Sequence, residues 1–486
     1  MILKSNGFYS VLLIGVVFVL LGGVLTLHSM SSQERGEMRN IRPGNPYLEA
    51  RFAEPVAIAS KEKLAKFSCI VDERCYPQVQ IDQETNHIYV MFKSKGDKAS
   101  EGFYYLTYLS CKDGIWSDPE CIVESRTQDR TPFTMALWDG KYPVASFRCL
   151  FNTSASRVID KWLFCMVPGA FLFDGGGALG FLSFKGKQGS HSSITNSYGD
   201  SDAKYFATIS AEDGSVWLLI CNSNTMLKEI LKIDTPAYIG NTAVTVADRI
   251  WACYYAINGN DGGIKLRSFD RFSGLAESTD ADIQILPVTE MDWNKDYNFN
   301  SRRNEIRPAI AAAPASKSVI FCVNWLDTLK GNNNRPFRGL VGMCDPYNDN
   351  AIYRGKCFYQ TTSRDIDGSR NQADYSYISP AIAISKVKTT TKYQDMLHIV
   401  CYRFPNNGDQ NRGQLLYGRC LVNPGIAPEP SFSIIQATDP EYVANKQPRQ
   451  VGRQCSIAVD SSGNPHIVYL QQEADSSWEL MYVGPE

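Results

Sequence analysis

The chain has 486 residues, 44% hydrophobic and 21% charged, an ordinary globular composition with ample material for a large core. Its 49 basic and 51 acidic side chains leave a formal net charge of −2, so no basic field is available to hold a nucleic acid. The 25 Tyr, 23 Phe and 8 Trp favour strands over helices.

A short tail, residues 1–7, precedes an uncharged run from Phe8 to Leu27. The run has about 20 residues, enough to cross a bilayer as a helix. A cleaved signal peptide usually has a shorter apolar region ending in a small-x-small site, whereas this run ends Leu27-His28-Ser29-Met30. Residues 8–30 are therefore expected to form a retained transmembrane anchor, with a cleaved signal peptide as the alternative. Lys4 on one side and Arg35, Arg39 and Arg42 on the other leave its orientation open. The junction Lys4-Ser5-Asn6-Gly7-Phe8 also resembles the leader of type IV pilin-like proteins, which implies a pilus-associated subunit. That family usually carries a Glu five residues into the mature chain, where Leu12 stands here. Residues 31–47 are polar, contain Pro43 and Pro46, and read as a linker.

From residue 48 to 486 the pattern is that of strands, and one strand-turn-strand phrase recurs. Its clearest copy is Cys455–Val459, a turn over Asp460–Pro465, then His466–Leu470. Earlier copies join Tyr76–Ile81 to His87–Phe92, Thr131–Ala136 to Tyr142–Phe147, and Tyr205–Ile209 to Val216–Ile220. Three more join Thr242–Val246 to Ile250–Tyr255, Arg307–Ala311 to Ser318–Val323, and Ser379–Ile384 to Leu397–Tyr402. Most copies are followed by a further strand, such as Gln414–Arg419 or Trp478–Tyr482. Units of three or four antiparallel strands repeated along a chain predict an all-β fold, a β-propeller. The blade count is seven, or six if the closely spaced third and fourth copies form one blade.

The turn Ser110-Cys-Lys-Asp113-Gly114-Ile-Trp116 resembles the Asp-box (Ser-x-Asp-x-Gly-x-x-Trp) of sialidase-like propellers, with Asp one position late and Trp one early. The resemblance implies the propeller fold more than an activity. Sialidases hold the substrate carboxylate with three arginines at the starts of inner strands, one of them in an Arg-Ile-Pro phrase. Arg130-Thr-Pro132 is similar to that phrase, Arg453 stands at the same offset before Cys455, and Arg307 is one residue closer, before Pro308. Arg130, Arg307 and Arg453 are thus the candidate ligand-binding residues, because a guanidinium pairs a carboxylate bidentately. Such an enzyme also needs a Tyr nucleophile helped by a Glu, and an Asp acid/base; no single tyrosine stands out, so no catalytic residue is assigned.

His87, His398 and His466 begin second strands, and Asp82, Asp139, Asp213, Asp248 and Asp460 sit in first hairpin turns. Both sets read as structural, since Asp suits the backbone angles of a turn. No C-x-x-C pairs, nucleophile elbow, phosphate loop or H-E-x-x-H helix occurs, and Gly175–Gly177 lacks a following helix, so no metal or cofactor is expected. All 14 cysteines follow residue 68, and four pairs lie close on neighbouring strands: Cys111 with Cys121, Cys149 with Cys165, Cys322 with Cys344, Cys401 with Cys420. They are expected to form disulfides, which places the domain outside the cytoplasm, at a cell surface or in a periplasm or lumen. A sequon at Asn152-Thr-Ser154 is compatible with that. Long loops at residues 293–304, 331–338 and 360–374 carry Asn and Arg with some aromatics, suited to recognition of a glycan or a protein. The expected function is a membrane-anchored propeller that binds glycans or protein surfaces. A sialidase-like glycosidase and a pilus subunit with a propeller head are the alternatives.

Overall fold

The computed structural model describes residues 50–96, 104–125, 132–138, 142–152, 158–166, 180–182, 189–196, 204–211, 215–222, 229–234, 238–258, 261–270, 283–287, 307–326, 337–357, 375–388, 392–405, 413–437 and 450–486. The expected anchor (8–30), the linker, Arg130 and most of the long loops lie outside these residues. Among the described residues no helix is long and apolar enough to cross a membrane.

The described strands form seven antiparallel sheets. The first contains Gln78–Ile81, Ile88–Gly96, Tyr104–Lys112 and Glu120–Ser125, with the short strands Cys69–Ile70 and Ile115–Trp116 added to it. The second contains Thr134–Trp138, Tyr142–Asn152, Val158–Met166 and Gly180–Leu182, and the third Gly189–Asn196, Lys204–Ala211, Val216–Asn222 and Glu229–Asp234. The fourth contains Tyr238–Val246, Arg249–Asn258, Asp261–Asp270 and Ile283–Pro287, and the fifth Ala309–Ala313, Ser318–Leu326, Phe337–Asp345 and Ala351–Cys357. The sixth contains Tyr375–Lys388, Tyr393–Pro405, Gln414–Val422 and Ser431–Ala437. The seventh joins Val451–Val459, Pro465–Gln472 and Trp478–Val483 to Val56–Ala59, from the other end of the domain.

The first strand of each sheet touches the first strand of the next, and Val451–Val459 touches Gln78–Ile81, so the seven first strands close a ring. This is the β-propeller arrangement, and it explains the hydrophobic pattern. The first strand Gln78–Ile81 alternates half-buried Gln with buried Val79 and Ile81. A second strand is covered on both faces by adjacent sheets, hence the nearly unbroken burial of Met396–Tyr402. Trp251, Tyr255, Phe321, Trp325, Tyr402 and Phe404 fill the space between the fourth, fifth and sixth sheets.

Ring closure depends on Val56–Ala59, which pairs with the last strand through Val56↔Tyr482, Ala57↔Met481 and Ala59↔Leu480. Ile58, Leu64, Val79, Phe92, Leu470 and Leu480 form the core under this seam. A single helical turn, Lys61–Leu64, follows the strand; the Ser60 side chain caps it by accepting from the Lys63 amide at 3.4 Å.

Two expectations are corrected. Tyr205–Ile209 is not a first strand but part of the second strand of its sheet, and the first strand is Gly189–Asn196. That shift is why the third and fourth copies look crowded in sequence. The proposed disulfides are also absent: Cys111, Cys121, Cys322, Cys344, Cys401 and Cys420 are free thiols. Register is the reason. Cys322 faces Val341 while Cys344 faces Val319, and Cys401 faces Leu416 while Cys420 faces Leu397. Cys149 faces Lys161 while Cys165 faces Ala145, and Cys121 lies beside Thr107, away from Cys111. An offset of three or four residues separates two Cα atoms by about 10–13 Å along a strand, beyond the reach of a disulfide. The support those bridges gave to an oxidising compartment goes with them.

Candidate binding site at the mouth of the ring

One position is equivalent in four sheets: Tyr76 and Arg307 stand two residues before the first paired residues Gln78 and Ala309, and Ser379 and Gln454 stand in irregularities two residues before pairing resumes at Ala381 and Ser456. Tyr76, Ser379 and Gln454 have left-handed backbones, with φ of 47°, 53° and 57°. For a residue with a side chain this costs about 1–2 kcal/mol, and strain of that kind collects where a side chain must be aimed.

Arg307 uses this position to reach past the sixth sheet. Its Nη2 donates to Gln454 Oε1 at 3.1 Å in the seventh, and its guanidinium carbon lies 4.6 Å from the centre of the Tyr76 ring in the first. The base of the side chain is fixed as well. The Arg307 amide donates to Asn324 Oδ1 at 2.8 Å, and the buried Asn324 carbonyl accepts from Tyr255 Oη at 2.7 Å. The result is a cation held over an aromatic ring at the start of the inner strands, fixed there by cation–π attraction and a hydrogen bond. Beside it the Cys455 thiol donates to the Ser379 carbonyl at 3.3 Å. The Ser379 hydroxyl is buried and meets no partner among the described residues. Burial pushes the Cys455 thiol up to about 12, so it is a protonated packing group and not a nucleophile.

Arg453, one residue before this position, turns elsewhere. Its Nη1 donates to Glu73 Oε2 at 3.0 Å and to Gln450 Oε1 at 3.2 Å. Arg307 and Arg453 therefore occupy different structural positions, and the structure brings together Arg307, Gln454 and Tyr76 instead. The sequence carried one signal for this set: Tyr76, Arg307 and Ser379 each precede a proline that opens an inner strand.

No protein-family model matches the chain, and no curated protein matches it. Among solved structures it is similar to an α-L-arabinanase of Penicillium chrysogenum complexed with arabinobiose, at 9% identity and a TM-score of 0.43, covering 89% of this chain and 98% of that one. It is also similar to the SapL1 lectin in complex with α-methyl fucoside, at 10% identity and a TM-score of 0.38, covering 75% and 96%. The fucose-specific lectin of Aleuria aurantia matches at 10% identity and a TM-score of 0.34, covering 90% and 98%. Likeness at this level assigns neither ligand nor reaction.

The histidines act in the scaffold. His398 and His466 are equivalent, each bonded through Nδ1 to a third-strand tyrosine: Tyr417 at 2.8 Å and Tyr482 at 2.7 Å. Tyr89 holds their place in the first sheet, and His87 is two residues nearer the turn, 3.2 Å from the Tyr89 hydroxyl. His398 Nε2 also lies 2.8 Å from Ser385 Oγ, the spacing of a nucleophile and its base. Burial, with the charge of Arg419, pushes that imidazole down to about 3, too weak a base to activate a serine near neutral pH. The turn aspartates bind their own loops. Asp82 accepts from the Glu84 amide at 2.9 Å and from Thr85 Oγ1 at 2.6 Å. Asp460 accepts from the amides of Ser462 and Asn464 at 2.9 and 2.8 Å. Burial favours the neutral Asp460 carboxyl, but hydrogen bonds from His466 and Asn464 outweigh it and hold it down at about 2. Asp139 and Asp213 lie outside the described residues. No group of three or more metal-ligating side chains occurs among the described residues.

Proposed function

We propose that this chain is a seven-bladed, carbohydrate-binding propeller, one sheet to a blade, whose ligand sits at the mouth over Arg307. The observation that carries the reading is the Arg307 guanidinium held over Tyr76 and steadied by Gln454. A preset planar fork suits paired sugar hydroxyls or a sugar carboxylate, and a fixed donor loses little entropy when the ligand arrives. The glycosidase alternative is less well supported, because Arg453 is engaged with Glu73 and the described mouth offers no acid/base pair. A glycan array probed with the full chain tests the proposal. Binding to a defined set of glycans is expected, lost in Arg307→Ala and weakened in Arg307→Lys, which keeps the charge but not the fork. An array without signal, or an Arg307→Ala profile matching the parent, would refute it.

A further inference from the structure

At the opposite end of the inner strands, where they turn back into second strands, lies a cavity of about 1070 Å³. Hairpins of five sheets line it, through Gln83 of the first, Arg249 of the fourth, Lys317 of the fifth, Lys386 of the sixth and Asp460 of the seventh. The cations come from three consecutive sheets. The two carboxylates in the lining are already engaged: Asp248 accepts from the Tyr347 hydroxyl, and Asp460 is saturated by its own loop and His466. Hydrogen bonding leaves both charges in place, so the described lining sets three cations against two carboxylates, but neither carboxylate forms an ion pair with a lysine. Lys317 is held 5.3 Å from the centre of the exposed Tyr347 ring, on a backbone with φ of 53°, so its ammonium is placed and not merely solvated. Among the described residues neither Lys317 nor Lys386 forms a salt bridge. Val246, Pro314, Ile384 and Val459 supply apolar wall between the charges.

We infer that this cavity is a second binding site, taking a small organic anion with two or more carboxylate or phosphate groups. Cations on separate hairpins suit separated negative charges better than a single one. The two lysines act as point charges, which serve carboxylates and phosphates alike. The volume matches that of a small-molecule pocket.

Calorimetric titration of the full chain with citrate, with pyrophosphate and with neutral mannitol tests this. Citrate or pyrophosphate should bind and mannitol should not, and whichever anion binds more tightly identifies the carboxylate or phosphate source. The double variant Lys317→Ala/Lys386→Ala should weaken binding by about tenfold or more, while Lys61→Ala, an exposed lysine elsewhere, should not. Both lysines of the double variant are exposed, so it should melt with the parent. Absence of binding by both anions at about 10 mM would overturn the inference, as would a folded double variant that binds like the parent.

Discussion

His398 makes the stability of the ring depend on pH in a calculable way. Its imidazole is buried between Tyr417 and Ser385 and pushed down to about 3, from the 6.5 of an exposed histidine. Between those values the unfolded chain binds a proton that the folded chain refuses, so folding weakens as pH falls and is unaffected above about 6.5. Each pH unit in that window costs about 1.4 kcal/mol. Stability should therefore drop by roughly 3 kcal/mol between about pH 7.5 and pH 4.5, and by about 5 kcal/mol once pH falls below the folded value. Against a usual total of about 5–15 kcal/mol this is a large share. Asp460 works in a separate window. Its contribution is complete above its ordinary value of 3.8 and declines only as pH falls toward 2, so it does not enter at pH 4.5. The assay is urea unfolding at both pH values for the parent and for His398→Gln. The variant will be less stable at neutral pH because it disturbs two buried hydrogen bonds, but its loss between the two pH values should be smaller by about 3 kcal/mol. Equal losses in parent and variant would refute the account.

Two further outcomes are expected. Leu480 is fully buried in the core beneath the closing strand; Leu480→Ala should cost about 2–5 kcal/mol and speed hydrogen exchange in residues 56–59, and unchanged exchange there would show that the seam does not depend on this core. Thiol titration of the denatured, unreduced chain should find at least the ten cysteines that form no disulfide in the structure; a count below ten would show bridges that the structure does not contain.

The fold was legible because second strands sandwiched between sheets must be apolar along their length, as in Ile399–Tyr402, and such runs are visible without structural knowledge. Gly189–Asn196 was missed for the converse reason. Its sequence, Gly-Ser-His-Ser-Ser-Ile-Thr-Asn, has one large aliphatic residue, and its place in the ring comes from contacts with first strands on either side. Val56–Ala59 is four residues long and pairs with a partner at the far end of the chain, so no local pattern announces it. At the mouth, Arg307 could be singled out by residue type and its proline. Tyr76 has the same following proline and Gln454 has none, but neither could be joined to Arg307, because only ring closure sets the first and seventh sheets beside an arginine of the fifth. The cysteine pairs failed because closeness in sequence does not fix register, and a shift of three residues is decisive for a bond of about 2 Å.

The seam between Val56–Ala59 and Trp478–Val483 also sets a timetable for synthesis. The early strand leaves the ribosome more than 400 residues before its partner. At about 5–20 residues per second it waits roughly 20–80 s with one hydrogen-bonding edge uncovered. Six sheets can assemble in that interval, each from contiguous chain, but the seventh cannot. The nascent protein thus passes through an open arc that exposes an unpaired strand at one end and the apolar flank of the first sheet, Val79, Val90 and Leu109, beside it. Chaperone demand should peak in this interval, and a ribosome stalled before residue 478 would release a nearly complete chain that still cannot shut.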